Sequence, residues 1–302
     1  MQRKILSRLL LVASSTLGAS FVAHGGTLYD SGGFEAPRFT TAFVNPLDPF
    51  TNPPTNTVPF TGNLRGQDAA NDVWRESTSD LSGAEGAVTG TAVVETPTAT
   101  GGSGLQDVKV TRTTFDDRWA PVLTYTQNAT NPVVNIDWSM NVSASGGDPS
   151  KFGPFFGIEA YDQSSGPVLR IGGLGVDATT GELLYEGGGQ FNTTTSDPTT
   201  DAKVTFGQYN NFEMSLDYST HTYSISLNGT PLVSGIAFLS AGVTALTDAD
   251  ISALPADAVA FNNAGTAFFD NYVVTSVPEP TTALLTLGLG ALALRRRQGS
   301  KA

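Results

Sequence analysis

The chain has 302 residues and no cysteine, with 16 Lys and Arg against 28 Asp and Glu, a formal net charge of −12. That composition excludes disulfides, thiolate metal sites and cysteine nucleophiles, and a chain this acidic lacks the clustered Lys and Arg that nucleic acid requires. The 33 glycines and 17 prolines, without long Ala/Leu/Glu/Lys stretches outside the two termini, point to one large all-β domain.

At the start, Arg3, Lys4 and Arg8 lead into the apolar run Leu9-Leu10-Leu11-Val12-Ala13. This is the pattern of a secretory signal peptide, with cleavage expected after Gly25. Residues 26–280 then hold nine Lys/Arg and all 28 acidic residues, so this part carries about −19. Such a surface is soluble and self-repelling, and it favours divalent cations over polyanions.

Strands are expected over 87–95, 105–113 and 122–126. In the next window Val134, Ile136, Trp138, Met140 and Val142 alternate with Asn135, Asp137, Ser139 and Asn141, the pattern of a half-buried strand. Further strands are expected over 155–161, 168–172, 182–186, 203–206 and 267–275. One short helix is expected at 247–251, from the cap at Thr247 and an acidic first turn, ended by Pro255. The polar stretches 45–59, 96–104 and 192–200 read as loops within one domain.

Phe212, Met214, Leu216 and Tyr218 form one alternating strand, and Tyr223, Ile225 and Leu227 form the next, followed by Asn228-Gly229. Asn-Gly is a strong hairpin signal because a type I′ turn needs positive φ at both central residues. The segment from Tyr209 to Gly229 resembles the strand–turn–strand–Asn-Gly portion of concanavalin and laminin-G-like jelly rolls. The resemblance implies an antiparallel two-sheet jelly-roll β-sandwich, a fold that hosts lectins, carbohydrate-binding modules and glycosidases alike.

At the far end, Val277-Pro278-Glu279-Pro280 is followed by fourteen uncharged residues, 281–294, and then by Arg295-Arg296-Arg297. A helix of that length spans roughly 21 Å, short of the ~30 Å hydrocarbon core. The order Pro278, Glu279, Pro280, apolar helix, Arg cluster resembles the PEP-CTERM sorting signal of Gram-negative, exopolysaccharide-producing bacteria. It implies export through the inner membrane, transient anchoring by the C-terminal helix, processing by an exosortase, and delivery to the cell surface or extracellular matrix. An ordinary C-terminal membrane anchor is the plainer alternative. The expected organisation is a signal peptide at 1–25, a β-sandwich body at 26–276 and a sorting signal at 277–302. An N-terminal signal helix and a short transmembrane-like C-terminal helix thus flank an all-β body.

For chemistry, only His221 remains after signal cleavage, in a turn, so a serine triad has no base. Laminarinase-type jelly rolls carry Glu-x-Asp-x-x-Glu along one strand, and no Glu-x-Asp occurs here. Glu159 and Asp162 come nearest, but their spacing puts them on opposite faces of a strand, and no catalytic residue is expected. The jelly-roll resemblance implies a structural calcium ion between Gly33-Phe34-Glu35 and Phe269-Asp270-Asn271, with Glu35 and Asp270 as ligands. The other reading is that Glu35 accepts backbone N–H groups and Asp270 caps a turn, without an ion. Asp116-Asp117 reads as a solvated turn. Among aromatics, Trp138 is in phase with a core face, whereas Trp74, Trp119, Tyr161 and Tyr185 are the candidates for stacking on sugar, with core packing as their other reading. The expected function is that of an exported surface or matrix protein, structural or binding exopolysaccharide. A carboxylate-dependent carbohydrate-active enzyme and a ligand-free adhesive or spacer domain are the alternatives.

Overall fold

The computed structural model describes residues 25–42, 62–68, 74–78, 90–97, 102, 104–114, 116–197, 199–260 and 262–277. The expected signal helix, the loop at 45–59, and the sorting residues Pro278, Glu279, Pro280, Arg295, Arg296 and Arg297 lie outside them. No helix among the described residues is long and apolar enough to cross a membrane.

Seventeen β-strands are formed among the described residues. The first six are β1 (Thr27–Asp30), β2 (Arg75–Thr78), β3 (Thr91–Glu95), β4 (Asp107–Arg112), β5 (Asp117–Ala120) and β6 (Tyr125–Thr126). Next come β7 (Val133–Val142), β8 (Pro154–Asp162), β9 (Leu169–Asp177), β10 (Leu183–Gly187) and β11 (Gln190–Thr193). The last are β12 (Asn210–Asp217), β13 (Thr222–Leu227), β14 (Thr230–Ala237), β15 (Ala245–Leu246), β16 (Asp248–Pro255) and β17 (Gly265–Val277). An eight-stranded sheet runs β14-β13-β12-β7-β17-β4-β3, with β1 added on β17. A seven-stranded sheet runs β11-β10-β9-β8-β16-β5-β2, and β15 pairs with β6. The body is therefore the antiparallel two-sheet jelly roll that the hairpin implied.

The alternation read from the sequence sets the larger sheet. Ile136 lies opposite Met214, Val134 opposite Leu216, and Trp138 opposite Phe212. The last two rings stack at 5.4 Å with planes 9° apart. These side chains join Ile158, Leu174, Val176, Ile251 and Trp119 of the smaller sheet in one core. Each such buried side chain contributes about 1.5–3 kcal/mol, so the two inner faces hold the sandwich together without disulfides. The Asn228-Gly229 turn has φ of 50° and 74°, as a type I′ turn requires.

Three local expectations are corrected. Residues 247–251 are not helical: β16 begins at Asp248 and lies between β8 and β5. Its Ala249, Ile251 and Ala253 enter the core, so pairing on both sides outweighs a cap signal worth about 1 kcal/mol. The expected strand at 203–206 reduces to a single bridge between Glu182 and Lys203. The Asp116-Asp117 turn in fact opens β5, and Asp117 is buried, accepting the Gly90 N–H at 2.7 Å.

Candidate functional site

Two groups of polar residues are organised by this topology. The first lies at a bulge in β17. Its first half pairs with β4 through Phe269, its second half pairs with β1 from Val273, and the register with β7 shifts between Asp270 and Val273. Asn271 sits at φ 51° in that bulge. The loop after β1 docks there, with the Ser31 N–H donating to the Tyr272 carbonyl at 2.8 Å. Glu35 and Asp270 are thereby brought together: a Cβ on Gly33 would stand 3.3 Å from Asp270 Oδ1 and 3.7 Å from Glu35 Cγ. Glu35 Oε1 accepts the N–H groups of Leu105 and Gln106 at 2.5 and 2.9 Å, and Asp270 Oδ1 accepts that of Asn271 at 2.7 Å. These are the backbone partners of the ion-free reading.

Asp107, not expected from the sequence, also lies at this corner. Tyr209 donates to its Oδ2 at 2.6 Å, while its Oδ1 is buried without a hydrogen-bond partner. Burial, together with the charges of Glu95 and Asp270, raises the Asp107 carboxyl to about 6 against the lowering bond from Tyr209. Among the described residues no three Asp, Glu or His side chains form a ready metal cage.

The second group lies on the outer face of the seven-stranded sheet. In β8, Phe156, Ile158 and Ala160 enter the core, so Glu159 and Tyr161 point outward. Asp250 of β16 lies opposite Glu159, Asp248 opposite Tyr161, and Ser252 lies opposite both Gly157 and Arg118 of β5. On the other side Arg170 of β9 lies opposite Tyr161, and Glu186 extends from β10. Nothing about a solvent-facing sheet demands burial, yet Arg118, Glu159, Tyr161, Glu186 and Asp250 are all at most 5% exposed.

Glu159 anchors this row. Its Oε2 accepts from Arg118 Nε at 2.7 Å and from the Ser252 hydroxyl at 2.8 Å. Its Oε1 pairs with Arg170 Nη2, which also pairs with Glu186 Oε1. Burial opposes the Glu159 charge, but Arg118 and Arg170 outweigh it and hold the group down at about 2. Glu186 behaves in the opposite way: burial, reinforced by the Glu159 charge, pushes it up to about 8. Burial and the neighbouring Asp248 also raise Asp250. Beside this row opens a cleft of about 220 Å³, lined by Arg75, Arg118, Gln163, Thr247, Asp248 and Asp250 among others.

The aromatic candidates fare differently. Trp74 and Trp119 are core residues, 0% and 1% exposed, and so offer no ring face to a sugar, a correction of their reading as stacking platforms. Trp74 packs on Phe34 and Tyr272 and donates its indole N–H to the Tyr29 hydroxyl at 2.8 Å. Their irregular sequence surroundings concealed short strands at the sheet edge, β2 and β5. Tyr185 packs half-buried against the core. Tyr161 alone belongs to the outer row, its hydroxyl 3.2 Å from Arg118 Nε. Asp162 faces away from that row, as its spacing from Glu159 implied, and accepts the N–H groups of Thr244 and Ala245.

Arg118, Arg170, Glu186 and Asp250 were not among the site residues expected from the sequence. The available signal was the alternation Asp248-Ala249-Asp250-Ile251-Ser252-Ala253, which marks a strand with one polar face.

Residues 276–298 match the family model of the PEP-CTERM protein-sorting motif. No curated protein matches the chain. Among solved structures it is similar to a cellulose induced protein, Cip1, at 17% identity over 67% of this chain and 90% of that one, with a TM-score of 0.46. It is also similar to the alginate lyase AlgAT5 of polysaccharide lyase family 7, at 11% identity over 68% and 94%, with a TM-score of 0.42. A third is the catalytic domain of a glycoside hydrolase family 131 protein from Coprinopsis cinerea, at 16% identity over 71% and 87%, with a TM-score of 0.38. The chain thus carries the PEP-CTERM signal of an exported, exosortase-sorted surface protein, joined to a two-sheet jelly-roll body.

Proposed function

We propose that this protein is displayed at the surface or in the extracellular matrix of a Gram-negative bacterium, where its body binds the polysaccharide made by the same cell. The supporting observation is the cleft on the outer face of the seven-stranded sheet, where guanidinium, amide, hydroxyl and carboxylate groups meet in a space of about 220 Å³. Sugar hydroxyls both donate and accept, and such a mixed lining satisfies them. An enzymatic role has weaker support. Glycoside hydrolysis needs two carboxyl groups free to act at the scissile bond, and Glu159 is held by two arginines and Ser252. The test is to purify the protein from the surface of its own producer and ask whether that cell's polysaccharide is retained on it. Specific, saturable retention supports the reading; none supports the ligand-free spacer.

We further propose calcium at the β1/β4/β17 corner, with Glu35 and Asp270 as ligands and Asp107 beside them. Like charges gathered at a buried corner, one of them with an oxygen lacking any hydrogen bond, favour a hard divalent cation with oxygen ligands. Bound there, it would tie the two ends of the body together.

A further inference from the structure

Among the described residues, four polar atoms on the outer face of the seven-stranded sheet are buried and have no hydrogen-bond partner: Arg118 Nη1, Arg170 Nε, Glu186 Oε2 and Asp250 Oδ1. Leaving a buried polar group unmatched costs about 1–3 kcal/mol, more for a charged one, so four in one row call for something that pairs with them. We propose that this row is a subsite for one neutral, hydroxyl-bearing sugar residue, with the two arginine N–H groups as donors and Glu186 and Asp250 as its carboxyl partners. The inference rests on the polysaccharide reading above and narrows it to a class of sugar and a set of atoms.

The chemistry of the row selects among ligands. Two donors and two carboxyl groups match hydroxyls, each of which offers one hydrogen and two lone pairs. A uronate or other anionic sugar would meet the ionised Glu159, and its carboxylate would compete with Glu159 for both arginines. A bare cation would face those same two guanidinium groups. The surrounding charge of about −19 on residues 26–280 disfavours polyanions further.

Arg118 and Asp250 line the open cleft, and the Arg170 side chain is 32% exposed. Gly173, opposite Glu159 in the sheet, leaves the row uncrowded, since a Cβ there would stand 2.9 Å from Glu186 Oε2 and 3.3 Å from Glu159 Cγ.

The experiment measures equilibrium binding of the full chain to its producer's exopolysaccharide, on the native polymer and on the same polymer with its carboxyl groups reduced to primary alcohols. Affinity should persist after reduction. Arg170→Lys removes the Nε donor while keeping a cation, and Asp250→Asn keeps the shape. Each should weaken binding roughly tenfold, about the effect of one charge-assisted hydrogen bond. Gln163→Ala, at the exposed rim, should weaken it severalfold without disturbing the fold, and so carries the test if the buried variants do not fold. Loss of binding on carboxyl reduction, or wild-type affinity in all three variants, overturns the subsite while leaving the polysaccharide reading intact. No binding to either polymer removes both.

Discussion

Glu159 and Glu186, on strands separated by β9, accept from the same atom, Arg170 Nη2. One guanidinium thus faces two carboxyl groups, and a second, Arg118, sides with Glu159 alone. Glu159 is therefore the ionised member of the pair and Glu186 the one that holds a proton.

This asymmetry sets a pH dependence. Burial raises Glu186 from 4.5 to about 8, so its native form prefers the proton. Its favourable contribution is complete below 4.5 and is lost as pH rises towards about 8. Glu159, held down at about 2 by Arg118 and Arg170 against the opposing effect of burial, contributes above 4.5 and is lost as pH falls towards 2. Thermal stability should accordingly peak at mildly acidic pH. Glu186→Gln, with no proton to lose, should flatten the decline on the alkaline side by several degrees of Tm. A variant whose Tm falls with pH as steeply as the wild type contradicts this assignment.

Removing the anchor should be severe. Glu159→Gln leaves Arg118 buried opposite a neutral amide, and breaking a buried pair from one side costs about 3–5 kcal/mol. Denaturant unfolding should show a loss in that range, and a loss below about 1 kcal/mol would mean that the row is solvated.

Trp74 is tied into a chain in which its indole N–H donates to the Tyr29 hydroxyl, which donates to Asp68 Oδ2 at 2.8 Å, where Arg38 also pairs. Trp74→Phe should cost about 1–3 kcal/mol of stability and leave polysaccharide affinity unchanged. Reduced affinity in a fully folded variant would restore Trp74 as a ligand-binding residue.

At the acidic corner, millimolar calcium should raise the Tm of the wild type, and Asp270→Asn should abolish the rise. Magnesium, which demands tighter octahedral geometry, should do less. An unchanged Tm with calcium would leave Glu35 as a clamp on the Leu105 and Gln106 N–H groups and nothing more.

The inner faces of the sandwich were legible because burial writes itself into alternation. Val134 to Val142 and Phe212 to Leu227 gave both strands and their turn directly. Pairing of Glu35 with Asp270 was legible through a resemblance, and the bulge at Asn271 supplies the geometry. The outer row was not legible, because Arg118, Glu159, Arg170, Glu186 and Asp250 come from five different strands. Only strand order and register place them together. Asp250 was further hidden by the neighbouring Thr247 and Asp248, which mimic a helix start until the pairing of β16 on both edges is known. Trp74 and Trp119 were misplaced for the same reason, since each sits in a strand of only four residues or immediately beside one, too short for alternation to show.

The most direct measurement follows the side-chain Nε–H resonances of isotope-labelled arginine in the full chain as fragments of the producer's polysaccharide are added. Binding at the outer row should shift the Arg170 resonance and slow its exchange with water, with a smaller change at Arg118 and none at Arg38 or Arg65. Saturable binding that leaves Arg170 and Arg118 unmoved would contradict the placement of the ligand on the outer face of the seven-stranded sheet.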